Sequence, residues 1–211
     1  GYIVLHGRSL FNTVVLCSLM IATALIVNPM AAYALSRFGL SYTNKILLFF
    51  LATMAFPAEV GMIPGFLLLR DLNLLNTFGA LVLPALASGF SIFLLKGFFD
   101  TLPRELYEAA MIDGATEIRM FYQVAVPMCK PILAVIALGA FTAAYGSFMQ
   151  AFLVCQDEKM WTLMVWLYEM RMNAEPSVMI AALTLVSIPT LLVFIFCQRL
   201  IMRGIVLPIY H

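Results

Sequence analysis

The stretch Thr101-Leu-Pro-Arg-Glu-Leu-Tyr-Glu108-Ala109-Ala110-Met-Ile-Asp113-Gly114-Ala115-Thr-Glu-Ile-Arg-Met-Phe121-Tyr-Gln-Val124-Ala-Val126-Pro127 reads as a short helix, a tight turn and a second short helix. Thr101 can cap the first helix, Pro103 is tolerated in its first turn, and Glu105 suits the positive helix end. Gly114 can adopt positive φ where the chain must reverse. The second helix runs through Ile118, Phe121, Tyr122 and Val124 and must stop near Pro127. Leu106, Ala109, Ala110 and Ile112 give the first helix an apolar face rich in small residues, suited to a groove on a partner. An amphipathic loop lying on a membrane surface has similar composition, so the pattern alone leaves both readings open.

Working outward, this polar stretch is the exception in the chain. Of 211 residues, 64% are hydrophobic and 11% charged, too little polar material to cover a soluble domain. Lipid is therefore the expected solvent. Windows at about 10–35, 46–69, 72–95, 131–154 and 177–199 each approach the ~20 apolar residues that a crossing requires. The expected architecture is all-α: a polytopic membrane protein with a five-helix core, residues 1–211 forming one transmembrane domain. Asn28-Pro29 predicts a kink in the first window. Pro57, Glu59 and Pro64 interrupt the second, and a polar turn at Asn73–Thr77 precedes the third.

With five crossings, Arg37, Lys45, Lys96, Arg104, Arg119, Lys130, Arg199 and Arg203 fall on one side and Arg8, Arg70, Lys159 and Arg171 on the other. The richer side is cytoplasmic. That places loop 100–127 inside and loop 156–176 outside.

A net charge of +1 without a basic stripe argues against nucleic acid as a partner. Cys17, Cys129, Cys155 and Cys197 are widely separated, and His6 and His211 have no ligands at metal spacing, so no metal site is expected. No Gly-rich phosphate loop with its Lys and Ser/Thr is present, so no nucleotide site is expected either. The chain opens on Gly1 without the features of a signal peptide, and the native start is expected upstream.

Glu108-Ala-Ala, Gly114 and Val124-Ala-Val-Pro127 resemble the EAA loop of binding-protein-dependent ABC permeases: EAA, three residues, G, nine residues, then I-x-L-P. Val124 and Val126 stand where Ile and Leu are usual. Further similarity to the maltose-type sugar permeases lies in Leu10-Phe-Asn-Thr, Ala31-Ala-Tyr-Ala-Leu-Ser-Arg37-Phe, Ile63 to Thr77, Leu95 to Glu105, and Gln198-Arg199 with Arg203-Gly204. The resemblance implies a six-helix-type subunit lacking its first helix here. Two departures stand out. Tyr145-Gly146-Ser147 replaces a Trp-Asn-acid run, and the tail Ile205 to His211 is not the family's basic end.

The resemblance also implies the machinery around the chain. Its partners would be a cytoplasmic ATPase dimer that binds ATP and Mg, a second permease subunit, and an external solute-binding protein. The chain itself would be non-catalytic, carry no cofactor, and reside in a prokaryotic cell membrane. Sugars or oligosaccharides are the expected cargo; glycerol phosphate within the same class, or an ATPase-independent channel or secondary transporter, are the alternatives. The coupling residues would be Glu108 as a polar anchor, Ala109 and Ala110 for close approach, Asp113, Gly114 and Ala115 at the turn, with Phe121 and Pro127 in the second helix.

Polar or aromatic residues in apolar spans are candidates for a translocation path: Glu59, Asn28, Tyr145, Ser147 and Gln150. Ser and Asn equally serve as interhelical glue. Trp161, Trp166 and Tyr168 in the outer loop are candidates for contact with the binding protein or for an interfacial aromatic belt.

Overall fold

A computed structural model describes residues 2–39, 41–172 and 174–205. Its regular elements are all helical among the described residues. In chain order they are α1 (Tyr2–Arg37), α2 (Thr43–Met54), α3 (Met62–Asp71), α4 (Phe78–Val82), α5 (Gly89–Thr101), α6 (Arg104–Ile112), α7 (Glu117–Met120), α8 (Val126–Met128), α9 (Lys130–Tyr145), α10 (Met149–Val154), α11 (Leu163–Arg171) and α12 (Pro176–Ile205).

Among the described residues, α1 and α12 alone are continuous and apolar enough to cross a bilayer unaided; three further crossings arise if each broken pair of helices counts as one. The breaks follow the chain's punctuation. Pro57 precedes a 3₁₀ turn, Ala58–Gly61, that separates α2 from α3. A second 3₁₀ turn at Leu83–Ala85 carries Pro84, so the window expected to begin after Thr77 is itself broken before Ser88. The third pair, Glu117–Met128 with Lys130–Tyr145, bends by 83° at Cys129; the window at 131–154 ends its long helix at Tyr145 and resumes in α10 after Gly146. Pro29, by contrast, is accommodated inside an uninterrupted α1.

The chain divides into two compact units. One combines α1 up to Ala22 with Pro57–Leu86 and Leu138–Gln198. Its core packs Leu16 and Cys17 of α1 with Leu69, Leu81, Val82, Tyr145, Val154, Leu163 and Val165, between the small residues Ala80, Ala144 and Ala151. In lipid, burying a leucine gains little from the solvent, so close packing must hold helices together, and alanine permits that approach. Asn73 ends α3 in the left-handed region (φ 56°), with Leu74 N–H bonded to Leu69 O and Asn73 N–H to Arg70 O. Asn76, also left-handed, donates its N–H to Val154 O and accepts Asp157 N–H on its side-chain oxygen.

Residues 157–177 were expected as a loop, yet they hold α11, whose Leu163, Val165 and Leu167 are buried. Thr162 stands at its N-cap but makes no capping bond. Thr13 of α1 supplies the oxygen instead, accepting Leu163 N–H at 2.8 Å. Asn12 donates to the carbonyls of Lys159 (2.9 Å) and Trp161 (3.1 Å), so polar side chains tie α1 to the segment that leads into α11.

The other unit combines Thr23–Phe56, Ala87–Ala137 and the end of α12 from Arg199. Here α2 lies on α5, and Gly89 makes the approach possible: a Cβ there would sit 3.1 Å from Phe50 Cβ and 3.3 Å from Phe50 O. Asn28, 1% exposed, donates to Ala24 O and accepts Ser88 N–H, holding the start of α5 to α1.

Candidate functional site

Residues 101–128 form an elbow of two short helical arms. Thr101 does not cap α6. Its hydroxyl bonds back to Phe98 O at the end of α5, and Pro103 occupies the N-cap position without a side-chain bond. The extended backbone that Leu102 needs before proline ends α5 there, leaving Thr101 on the wrong side of the break.

The turn is closed by two backbone bonds, Ala115 N–H to Ala110 O (2.9 Å) and Gly114 N–H to Met111 O (3.0 Å), with Gly114 at φ 74°. This is a Schellman closure, and it fixes the roles of the EAA residues. Ala110 supplies the accepting carbonyl, Asp113 is the C-cap, and Ala115 follows the left-handed glycine. Thr116 then caps α7, its hydroxyl accepting Arg119 N–H. Phe121–Ala125 widens into a π turn just before Pro127. A proline ring collides with the carbonyl four residues back, and a wider turn carries Gln123 O out of its way.

The elbow turns its apolar side chains outward. Ile112 is 87% and Ile118 71% exposed, with Leu106, Met111 and Tyr122 exposed beside them. Glu108, Ala109, Asp113 and Gly114 are exposed, as is Pro127; Ala110 and Ala115 are half-buried. Phe121 is different: it is buried, edge-on to Tyr33 at 5.2 Å, and supports the elbow from within.

Beneath the elbow lies a cluster on the last turns of α1. Tyr33 donates its hydroxyl to Glu117 (2.9 Å) and packs on Phe99, Tyr107 and Phe121. Arg37 stacks its guanidinium over Tyr107, 4.7 Å from the ring centre, and approaches Glu117 at 3.8 Å. Ser36 bonds Asp100, which also pairs with Lys96. Burial pushes the Tyr107 hydroxyl above the ordinary phenol range, Arg37 opposing only in part, so this tyrosine stays neutral at working pH. Sequence reading did not single out these residues. The signal present was Tyr33, Ser36 and Arg37 on one face of an otherwise apolar helix end.

The candidate path residues divide between the units. Asn28 is held by α1 and α5, as above. Tyr145 donates to Val186 O at 2.6 Å, next to Leu185, whose carbonyl Pro189 cannot serve. Gln150 donates to Ala80 O. Ser147 is half-buried after the α9 break, and Glu59 is exposed in the 3₁₀ turn after Pro57. Trp161 and Trp166 are half-buried against the core, and Tyr168 packs on Phe148 (5.0 Å) and Phe152 (5.4 Å).

A cavity of about 440 Å³ opens beside Tyr145, between Met164, Leu167, Leu183, Val186 and Leu191. Thr142, Ser187 and Thr190 also line it, and the first two bond back to Leu138 O and Thr184 O. The surface left to an occupant is almost wholly apolar. Among the described residues no cluster of His, Cys, Asp and Glu could hold a metal.

The site thus joins a Schellman-closed elbow to helices that are apolar and broken. Residues 27–206 match the family described as "binding-protein-dependent transport system inner membrane component". The chain is 34% identical over 200 residues to the sulfoquinovosyl glycerol transport system permease protein SmoH of Agrobacterium fabrum, covering 93% of this chain and 70% of that protein. It is 31% identical over 204 residues to the sn-glycerol-3-phosphate transport system permease protein UgpE of Yersinia enterocolitica, covering 95% and 73%. Among solved structures, a chain from the crystal structure of a bacterial ABC transporter that imports the acidic polysaccharide alginate superposes with a TM-score of 0.83 at 27% identity, covering 92% of this chain and 75% of that one. The chain belongs to the family of binding-protein-dependent transport-system inner-membrane components, and it is a permease subunit of an ABC importer.

Proposed function

We propose that this subunit imports sugars or oligosaccharides across a prokaryotic cell membrane, with its elbow seated on a cytoplasmic ATPase. Four parts act together: this chain, a second permease subunit, an ATPase dimer that holds ATP and Mg, and an external binding protein that delivers cargo. The chain is non-catalytic; its work is mechanical. ATPase closure displaces the elbow, and the membrane helices exchange inward-facing for outward-facing states. The observation that carries the reading is the elbow itself, which exposes Ile112 and Ile118 beside Glu108 on a turn locked by Gly114. Exposed apolar side chains rimmed by polar ones mark a protein contact.

The sugar assignment rests on the cargo named for SmoH and for the alginate importer. The cargo named for UgpE favours a second reading, a polyol phosphate. Screening the cognate binding protein by thermal shift against neutral sugars, uronates and glycerol phosphate separates them. Stabilisation by glycerol phosphate alone overturns the sugar reading.

Docking is tested by coexpressing this chain with its ATPase and partner permease. Changing Glu108 to Arg together with Gly114→Val should reduce copurified ATPase about tenfold, equivalent to ~1.4 kcal/mol. The amount of chain in the membrane should not change. Undiminished copurification refutes the docking surface.

A further inference from the structure

We propose that Arg37 is a positioning residue that clamps both arms of the elbow to α1, so that elbow displacement reaches that helix directly. The inference deepens the docking reading above and rests on it. Three observations lead to it.

First, one side chain touches both arms. The Arg37 guanidinium lies over the Tyr107 ring of α6 at 4.7 Å and meets Met111 Sδ at 3.7 Å, while its Nε stands 3.8 Å from the Glu117 carboxylate of α7. The Schellman turn at Gly114 separates those arms, and Arg37 bridges across it. Second, the arm contacts are reinforced from the same helical face. Tyr33, one turn earlier on α1, donates to the same Glu117 oxygen at 2.9 Å and packs on Tyr107 and Phe121. Third, Arg37 Nε is buried with no hydrogen-bond partner among the described residues. A buried guanidinium N–H is costly to leave unmade. Closing its gap to Glu117 by about 1 Å makes a charge-assisted hydrogen bond of normal length. The contact is thus loose here and can tighten when α7 shifts, which gives the clamp two settings.

Arginine suits the position and lysine does not. A planar guanidinium stacks on a ring face and presents separate N–H groups in its own plane to other acceptors; an ammonium is a single point.

The test follows motion through the assembled importer and needs no knowledge of the cargo. Nitroxides are placed at Arg119→Cys on the elbow, outside the docking residues, and at Met30→Cys on α1, both exposed, after Cys197→Ser removes the native thiol that is half-exposed. Spectra are compared between the nucleotide-free state and the state trapped with ATP and vanadate. With Arg37 present, both labels should respond. With Arg37→Gln, the Arg119 label should still respond while the Met30 response falls about fivefold. Arg37→Lys should show the same loss. A full Met30 response in either variant overturns the clamp.

If the Arg37→Gln complex does not assemble, Glu117→Gln, which removes the charge opposite Arg37 and keeps an amide oxygen to accept from Tyr33, is measured in the same way. An undiminished Met30 response there overturns the clamp equally. A silent Arg119 label with Arg37 present defeats the docking reading, and this inference with it.

Discussion

Gly114 shows how a single backbone angle can define a working part. At φ 74° any L side chain is strained, yet no atom lies within 4 Å of the place its Cβ would take. The cost of replacement is therefore conformational and not steric. Gly114→Val should destabilise the turn by about 1–2 kcal/mol. Gly114→Asn should cost less, because asparagine tolerates the left-handed region. The order of thermal stabilities in detergent checks this, and equal losses for Val and Asn would point to a clash instead.

The glycine was legible in the sequence because turn chemistry is local. Asn28 was not, because a lone polar residue in an apolar span reads equally as path or glue until its partners are seen. Both of its bonds are internal. Asn28→Ala should cost about 1–3 kcal/mol, since it leaves the Ser88 N–H unpaired within the protein. A variant as stable as the parent would put Asn28 back among the path candidates.

Among elements, the legible features are again the ones written locally. The elbow's two helices and the break after Pro57 follow from residues within a turn of the event, whereas the second helix passes through Pro127 and ends at Met128. What the sequence hid depends on neighbours far along the chain. Thr101 has every property of an N-cap and does not act as one. Thr162 sits in the N-cap position of α11 while Thr13, 150 residues away, supplies the bond. No local rule finds such a surrogate. Thr13→Val should loosen the first turn of α11 by about 1 kcal/mol, the usual value of a cap. Faster amide exchange at Leu163, without change in α6, is the measurement. Unchanged exchange would show that Asn12's bonds to Lys159 and Trp161 suffice.

The approach of α5 to α2 is likewise invisible in sequence, where Gly89 looks like any loop glycine. With Phe50 Cβ 3.1 Å from its absent side chain, Gly89→Val should force the helices apart and cost about 1–3 kcal/mol. Heat stability in detergent reads it out, and a neutral result would mean that the pair separates freely.

At the scale of the whole molecule, a permease must pass its cargo without holding it, and the chemistry of the described cavity bears on where selection occurs. Sugars are recognised by polar groups that lose their partners when the wrong ligand enters, and such groups discriminate strongly. Beside this cavity three of the four lining hydroxyls are already spent, Tyr145 on Val186 O, Thr142 on Leu138 O and Ser187 on Thr184 O, and Thr190 is the fourth. An apolar wall distinguishes one hydroxylated cargo from another only weakly. Cargo choice should therefore follow the external binding protein. Tyr145→Phe removes one hydroxyl and its 2.6 Å bond while keeping the ring that stacks on Phe141 at 5.5 Å. It should lower thermal stability by about 1 kcal/mol. Transport of two competing cargos should change by the same factor, leaving their ratio as it was. A shifted ratio would show that Tyr145 reads the cargo itself, and the lining of this cavity would then have to be counted as part of a recognition site.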